Sequence, residues 1–259
     1  MLNIDTQLLQ ELVPRITLPF FRISSFFMLT PIWGTQVVPR RVRAILALSL
    51  TWLILPFMPA THFGSGMSVP LFLHILNEML IGVGLAFVMI ILWQVFVIAG
   101  QAVAMQMGLG FASMVDPANG VSVPIFGQFY ILLITLLFFS MDGHMAVIQI
   151  LVDSSQTIPV ASSILTSGDF RELVGIASWM FAAGLLLALP AVTALLMVNI
   201  SFGIMTKAAP QLNIFSLGFP LALLFGLVVW WIALGSFLPQ FDDLTAVALQ
   251  YMRHFVHAN

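Results

Sequence analysis

The chain has 259 residues, of which 61% are hydrophobic and only 7% are charged, and its mean hydropathy is +1.09. A soluble domain carries about 25% charged residues, so this composition excludes an ordinary water-soluble protein and predicts one that faces lipid or other protein. The net charge of -2 leaves no basic excess for nucleic acid, and the absence of cysteine excludes disulfides, thiolate metal ligands and cysteine nucleophiles.

Apolar runs long enough to form helices follow one another along the chain. In chain order they cover residues 16–34, 44–60, 71–104, 123–152, 173–205 and 214–238. Most exceed the roughly 20 residues that a helix needs to cross a bilayer, and none alternates as a strand of a membrane barrel would. The sequence predicts an all-α integral membrane protein with about six hydrophobic helical segments. Because no linker is long enough to separate domains, residues 1–259 are expected to form a single unit.

Two of these runs are too long to be simple spans. Residues 71–104 and 173–205 would each extend about 50 Å as helices, against about 30 Å of hydrocarbon. Pro190 lies inside the second run and predicts a kink or a break there, while Gly82, Gly84 and Gly100 are weaker points in the first. Long, partly broken helical hairpins suit a protein assembly better than an isolated bundle, because broken backbone must be satisfied by protein or water.

The basic residues give a slight orientation signal. If six segments alternate across the membrane, four of the eight Lys and Arg residues share a side, which the positive-inside rule makes cytoplasmic. These four are Arg40, Arg41, Arg43 and Lys207. The bias is small because three more lie opposite, namely Arg15, Arg171 and Arg253.

The sequence contains no recognisable catalytic motif. G-x-S-x-G, H-E-x-x-H, a phosphate-binding glycine loop and paired carboxylates on a helix face are all absent. None of the five histidines has a clustered acidic or cysteine ligand, so they are interpreted as interfacial or solvated; they are His62, His74, His144, His254 and His257. No enzyme activity, metal or cofactor is therefore predicted.

Two charged residues, Arg22 and Glu78, lie within apolar runs. An ionised group there costs about 2.5–3.5 kcal/mol on insertion scales, so it normally has a partner or a water-filled cavity. One interpretation is a proton or substrate relay. The favoured one is a structural pair, either with each other or with partner chains.

Small residues within the helical runs predict close approach between helices. The positions are Gly100, Ala104, Gly184 and Gly203. The many methionine and phenylalanine side chains are spread through the helices and are interpreted as packing residues.

An unusual stretch from Gly108 to Gly120 separates two long hydrophobic runs. Exposed loops favour polar residues, whereas this one is apolar and punctuated by glycine, which suggests that it folds back into a confined space. Apolar side chains there could fill a pore and exclude water and ions, as a plug. A buried loop without a gating role is an equally open interpretation. The candidate plug residues are Gly108, Leu109, Gly110, Phe111, Ala112, Ser113, Met114, Val115, Asp116 and Pro117.

Two stretches resemble a known family. GLGFASMVDP, from Gly108 to Pro117, resembles the glycine-rich hydrophobic loop of the FliR family, flagellar type III export-gate proteins whose injectisome counterpart is SctT. The run from Val198 to Pro220 is similar to the most distinctive segment of that family. The family-motif and packing residues in this run are Asn199, Gly203, Pro210, Gln211, Gly218 and Pro220.

The resemblance implies a subunit of the core export gate of the bacterial flagellar type III secretion apparatus, in the inner membrane within the basal body. It would assemble with FliP and FliQ, and with the export switch protein FlhB, into a conduit for unfolded flagellar proteins. The loop over 108–117 would be the plug in its lumen. The alternatives are a secondary transporter for a small solute and an intramembrane hydrolase. The sequence contains neither the inverted repeat typical of the former nor the nucleophile and base of the latter.

Overall fold

A computed structural model of the chain describes residues 6–58, 69–109, 125–158, 165–208 and 218–257. Within these ranges the backbone is helical apart from short turns and contains no strand, which confirms the predicted all-α membrane class. The described helices are α1 (Thr6–Leu29), α2 (Arg40–Ile54), α3 (Val69–Gln106), α4 (Ile125–Ser140), α5 (Gly143–Thr157), α6 (Ser167–Ala208), α7 (Phe219–Leu234) and α8 (Phe237–His257). A short 3-10 helix, Leu55–Phe57, follows α2 directly.

Two helices in the described part of the chain are long and apolar enough to cross a membrane alone. They are residues Pro70–Gln106 of α3 and the whole of α6, Ser167–Ala208. Helices α4 and α5 meet at 72°, and α7 and α8 meet at 62°, so each bent pair can supply one further span. The described residues therefore offer two to four spans, fewer than the six alternating segments on which the orientation signal depended.

The predicted run 123–152 is two helices, because the chain turns at Met141 and Asp142. Asp142 has φ 56°, in the left-handed region that short polar side chains tolerate better than other residues. Its carbonyl accepts bonds from the amides of Met145 and Ala146, which start α5. Asp142, the only acidic residue in this run, was the signal for this break.

Helix α8 lies mostly beyond the last predicted run. Its sequence alternates apolar residues with Asp242, Asp243 and other polar side chains, so it does not form a continuous apolar stretch. The helix is amphipathic: Phe241, Ala248 and Met252 are buried at helical spacing, whereas Asp242, Asp243 and Arg253 are exposed.

A kink or a break was predicted at Pro190. The break is wrong, since α6 is continuous from Ser167 to Ala208, and the kink stays a prediction. Proline fixes φ near -65°, which is a helical value, so its cost is one missing amide donor and local crowding. In the same turn the Thr193 hydroxyl donates to the carbonyls of Leu189 and Pro190, at 2.8 and 3.0 Å. Helix α3 is likewise continuous through Gly82 and Gly100.

Residue contacts divide the chain into two compact units. Unit 1 comprises the described residues within Met1–Ile91, Phe139–Ala177 and Val247–Asn259. Unit 2 comprises those within Leu92–Phe138 and Ser178–Ala246. The boundaries fall inside α3, α4, α6 and α8, each of which contributes residues to both, and the single structural unit expected from the sequence stays a prediction.

The core of unit 1 is formed by α1, the first part of α3, α5 and the end of α8. Fully buried side chains from these four elements include, in turn, Phe26, Leu85, Leu151 and Met252. Helix α2 packs against α1. Its buried residues lie three or four positions apart and so share one helical face; they are Ala47, Thr51 and Ile54.

The core of unit 2 combines small residues with large aromatic ones. The ring of Tyr130 lies against Gly100, where an added Cβ would come within 2.5 Å of Tyr130 Cδ2. At Gly184 an added Cβ would lie 3.0 Å from the side chain of Ile98, and Ala104 is 4% exposed. Close helix approach is therefore confirmed at Gly100 and Gly184, while Ala104 is buried in a core cluster of this unit.

Candidate functional site

Two local arrangements concern the residues singled out from the sequence. One is a buried network around Arg22 and Glu78, which lies wholly in unit 1. The other is the base of the glycine-rich loop, which lies wholly in unit 2.

The Arg22 side chain is fully buried and all three of its nitrogens donate hydrogen bonds. Nε contacts Glu78 Oε2 at 2.6 Å, with the two side chains 0% and 1% exposed. Nη1 donates to the Ser154 carbonyl at 2.5 Å, and Nη2 donates to the Ile158 carbonyl at 3.0 Å. The two charges expected to pair are thus brought together by α1 and α3, and α5 supplies the remaining acceptors.

The end of α5 suits a guanidinium for an electrostatic reason. The last carbonyls of a helix have no intrahelical donor and carry a partial negative charge. Ile158 is the residue that caps α5; Ser154 lies one turn earlier, and its carbonyl accepts the Ile158 amide as well as Arg22. Arg22 therefore neutralises Glu78 and caps a helix at once. With every nitrogen bound to a protein acceptor, the arrangement is that of a structural pair, and nothing in its geometry favours a relay.

Gly82 makes this pair possible. An added Cβ at this position would lie 2.1 Å from Ser25 Oγ and 2.2 Å from the Arg22 carbonyl oxygen, so the backbones of α1 and α3 touch here. Ser25 Oγ in turn donates to that same carbonyl at 2.9 Å. Gly82 lies one helical turn after Glu78, on the same face of α3. A side chain at Gly82 would push away the residue to which Glu78 is bonded.

In unit 2, α3 ends at the start of the glycine-rich loop. Gly108 has φ 83°, the left-handed conformation that commonly terminates a helix and that glycine adopts without strain. Its amide donates to the Met105 carbonyl at 3.0 Å, and the Met107 amide donates to Val103 at 3.0 Å. Leu109 packs against a core cluster of this unit. The other eight candidate plug residues, 110–117, lie outside the described residues, so the plug stays a prediction.

A side chain of α6 fixes the end of α3. Asn199 Nδ2 donates to the Gln106 carbonyl at 3.0 Å, across 93 positions of the chain. Gln106 is the last residue of α3, and its carbonyl is one that a helix leaves without an internal donor. A residue of the distinctive segment thus holds the helix from which the candidate plug loop leaves.

Met107 anchors the same point through packing. It is 0% exposed and belongs to a cluster with Val103, Phe126 and Leu195, from α3, α4 and α6. The α7 residue Gly226 lies directly against it, since an added Cβ there would come within 2.5 Å of Met107 Cγ. The residue before Gly108 is therefore enclosed by four helices.

The remaining motif residues have different environments. An added Cβ at Gly203 would meet nothing within 4 Å, so the close approach expected there does not occur within the described part of this chain. Gly218 and Pro220 start α7, with proline in the first turn, where its missing amide is not needed. Pro210 and Gln211 lie outside the described residues.

The histidines form no metal centre in the part of the chain that the structure covers, where no group of three or more potential metal ligands is found. His254 Nδ1 lies 2.7 Å from Glu172 Oε1, and both side chains are exposed. His74 and His144 each have a buried Nδ1 without a hydrogen-bond partner. His62 lies outside the described residues.

The sequence matches the family described as bacterial export proteins, family 1, over residues 13–247. The chain belongs to this export family.

Several members of the export family are similar over most of their length. The flagellar biosynthetic protein FliR of Escherichia coli (strain K12) is 37% identical over 209 residues, which cover 81% of this chain and 80% of that protein. FliR of Pectobacterium carotovorum subsp. carotovorum is 34% identical over 223 residues, 85% of this chain and 83% of that protein. FliR of Buchnera aphidicola subsp. Schizaphis graminum is 29% identical over 252 residues, 97% of each. These similarities confirm the resemblance to the FliR family.

Two contacts of this export-family chain were not expected from its sequence. Glu78 and Gly82 are four residues apart, so α3 presents its charge one turn from the place where the backbone of α1 approaches. That spacing was a usable signal for the α1–α3 contact. The bond from Asn199 to Gln106 had no such signal, because an amide reaching a backbone carbonyl 93 positions away leaves no pattern in sequence.

Proposed function

We propose that this chain is a subunit of the core export gate of the bacterial flagellar type III secretion apparatus, in the inner membrane within the basal body. It forms there, with FliP and FliQ, the conduit through which unfolded flagellar proteins are exported, and it contacts the switch protein FlhB. Membership of an export family makes the chain an apparatus component and not an enzyme. The similar proteins named for flagellar biosynthesis support the flagellar assignment.

The observation that carries the assembly is the uncovered face of α6. In the most apolar stretch of α6 only 28% of the residues are buried within the chain, against 72% in the corresponding stretch of α3. Large apolar side chains are exposed along it from Phe170, at 42%, to Met205, at 47%. That stripe is about 53 Å long at 1.5 Å per residue, whereas hydrocarbon is about 30 Å thick. Lipid cannot cover all of it, so partner proteins with apolar helices are needed.

The base of the 108–117 loop is consistent with a plug. A plug needs a fixed attachment, because a loop whose base moves with it cannot return to a single closed position. Asn199 and the buried Met107 supply such an attachment at the end of α3. Leu, Phe, Met and Val side chains can close a pore to water and ions without binding a substrate tightly.

The assembly is tested by Gly203→Leu. Because nothing within the described chain lies close to this glycine, and its neighbours Ile200 and Ile204 are 55% and 65% exposed, the change should leave the stability of the free chain almost unaltered. At a close helix contact with a partner the added side chain should clash, so recovery of FliP and FliQ with the tagged chain should fall at least several-fold. Co-purification from native membranes measures this.

The matched control is Gly226→Leu, where the added side chain meets Met107 inside the chain. This change should lower the melting temperature of the purified chain itself. Normal recovery of FliP and FliQ with Gly203→Leu would contradict the proposed contact. Absence of both proteins from the wild-type preparation would contradict the gate assignment as a whole.

The plug is tested by deleting residues 110–115, which spares Gly108 at the end of α3 and the packed Leu109. Removing the apolar side chains should leave the anchoring core of unit 2 and the assembly in place, while the inner membrane becomes permeable to ions or small solutes. Membrane potential and solute uptake are measured in cells that make the assembled complex. A second strain with Phe111 and Met114 both changed to serine keeps the loop length and should leak to an intermediate degree. Wild-type permeability in a correctly assembled deletion complex would refute the plug.

A further inference from the structure

Helix α2 has one buried face and one uncovered face. The uncovered face carries exposed large apolar side chains, with Ile45 at 63%, Leu48 at 52% and Trp52 at 69%. These three lie in register with the exposed Arg41, at positions i, i+4, i+7 and i+11 of a single helical stripe. The stripe is therefore basic at its beginning and apolar along the rest of its length.

The positive charge at the beginning of α2 is not neutralised by the described part of the chain. Arg40 and Arg41 are exposed, and no described carboxylate forms an ion pair with either. In the sequence no acidic residue occurs between Glu11 and Glu78, and Glu78 is already bound to Arg22. The neighbouring Arg43 behaves differently: its Nε and Nη2 donate to the Val38 carbonyl at 3.1 and 2.8 Å. One arginine of the three thus holds the preceding turn, and two remain available.

The length of the stripe identifies what can cover it. From Arg41 to Trp52 the helix rises about 16 Å, close to half of the roughly 30 Å of hydrocarbon in a bilayer. With 15 residues, α2 itself is too short to cross a membrane. The stripe therefore matches a single leaflet, with the charge at headgroup level and the apolar side chains at acyl-chain depth.

We propose that the uncovered face of α2 binds an anionic phospholipid. The headgroup phosphate contacts Arg40 and Arg41, and an acyl chain lies along Ile45, Leu48 and Trp52. Basic residues at the membrane surface attract anionic lipid, and arginine suits phosphate because its planar guanidinium can donate two parallel bonds. An acidic protein segment would satisfy the two arginines but would leave the apolar stripe uncovered. A phospholipid matches both the basic and the apolar part of the face, through its phosphate and its acyl chain respectively.

The test measures phospholipid retention by the full-length chain in neutral detergent, using native mass spectrometry over a range of lipid concentrations. Phosphatidylglycerol should bind more tightly than phosphatidylcholine, and added salt should weaken the former and not the latter. The double change Arg40→Gln/Arg41→Gln should weaken phosphatidylglycerol binding about thirty-fold, since each basic residue near an anionic membrane surface raises the affinity about five-fold. Phosphatidylcholine binding should be unchanged.

The matched control is Arg171→Gln/Arg253→Gln, which removes the same charge from exposed positions outside α2 and should leave phosphatidylglycerol binding as in the wild type. A second pair, Arg40→Lys/Arg41→Lys, keeps the charge and should retain most of the affinity. It keeps the proposal testable even when the glutamine variant folds poorly. Ile45→Ser/Leu48→Ser should weaken both lipids.

Three outcomes would overturn the proposal. The first is equal loss of phosphatidylglycerol in the α2 variant and the control variant. The second is undiminished binding when both arginines are glutamine. The third is displacement of the lipid by an acidic peptide without acyl chains at the same concentration as by phosphatidylglycerol itself, which would make a protein the partner of this face. None of these outcomes bears on the export-gate assignment.

Discussion

Replacing Arg22 by methionine is expected to lower the free energy of unfolding of the detergent-solubilised chain by about 3–5 kcal/mol, the usual cost of leaving one charge of a buried pair without its partner. Glu78, at 1% exposure, would keep its carboxylate in the core of unit 1. The Ile158 carbonyl would lose its bond from Arg22, and the Ser154 carbonyl would keep only the Ile158 amide as a donor. Both effects act on the same helices, so α1 and the end of α5 should loosen together. Unfolding is followed by circular dichroism while denaturing detergent is added.

The double change Arg22→Met/Glu78→Met separates charge from packing. A buried pair replaced on both sides by apolar residues of similar volume is often close to neutral in stability, so the double variant should recover most of what the single one loses. Arg22→Lys should recover less, because an ammonium cannot reproduce the planar set of donors that contacts three acceptors. Arg171→Met, at an exposed position of the same unit, is the control for loss of one positive charge. A double variant as unstable as the single one would show that the pair is not the cause.

Gly82→Ala is expected to destabilise the chain by about 1–3 kcal/mol, as overpacking of a close contact does, although alanine normally improves a helix interior. The methyl group would lie 2.2 Å from the Arg22 carbonyl oxygen, and a backbone atom cannot move aside as the end of a flexible side chain can. Helices α1 and α3 must therefore separate, which stretches the bond from Arg22 to Glu78. The melting temperature of the purified chain reports the loss.

Gly175→Ala is the matched change for Gly82→Ala. It also lies in a helix of unit 1, but an added Cβ there meets nothing within 4 Å. This variant should be unchanged or more stable by about 0.5–1 kcal/mol, from helix propensity alone. Loss of stability of the same size in both variants would show that helix propensity, and not the contact with α1, decides the result.

The fold class was predictable because composition and run length determine it with few alternatives. The breaks were not equally predictable. Pro190 is a strong breaker in isolated helices, yet α6 continues through it, whereas the chain turns at Met141 and Asp142. Helix α8 was missed because an amphipathic helix does not produce a long apolar run. At Pro190 local propensity gave way to packing that the sequence does not display.

The candidate sites were predictable in part for a similar reason. An arginine and a glutamate in apolar runs almost require a partner, so pairing was expected, either between Arg22 and Glu78 or with partner chains. The structure shows the first of these. The two carbonyls at the end of α5, and the bond from Asn199 to Gln106, depend on which backbone groups come close in three dimensions. The sequence shows which buried charges need partners, but it does not identify the backbone carbonyls that accept their hydrogen bonds.

The uncovered face of α6 limits the amount of this chain that a cell can maintain. Chains that are synthesised faster than this face can be covered should associate with one another and be degraded by membrane proteases. Surplus copies should therefore be short-lived, and the steady-state amount should follow the supply of companion subunits more closely than the chain's own rate of synthesis.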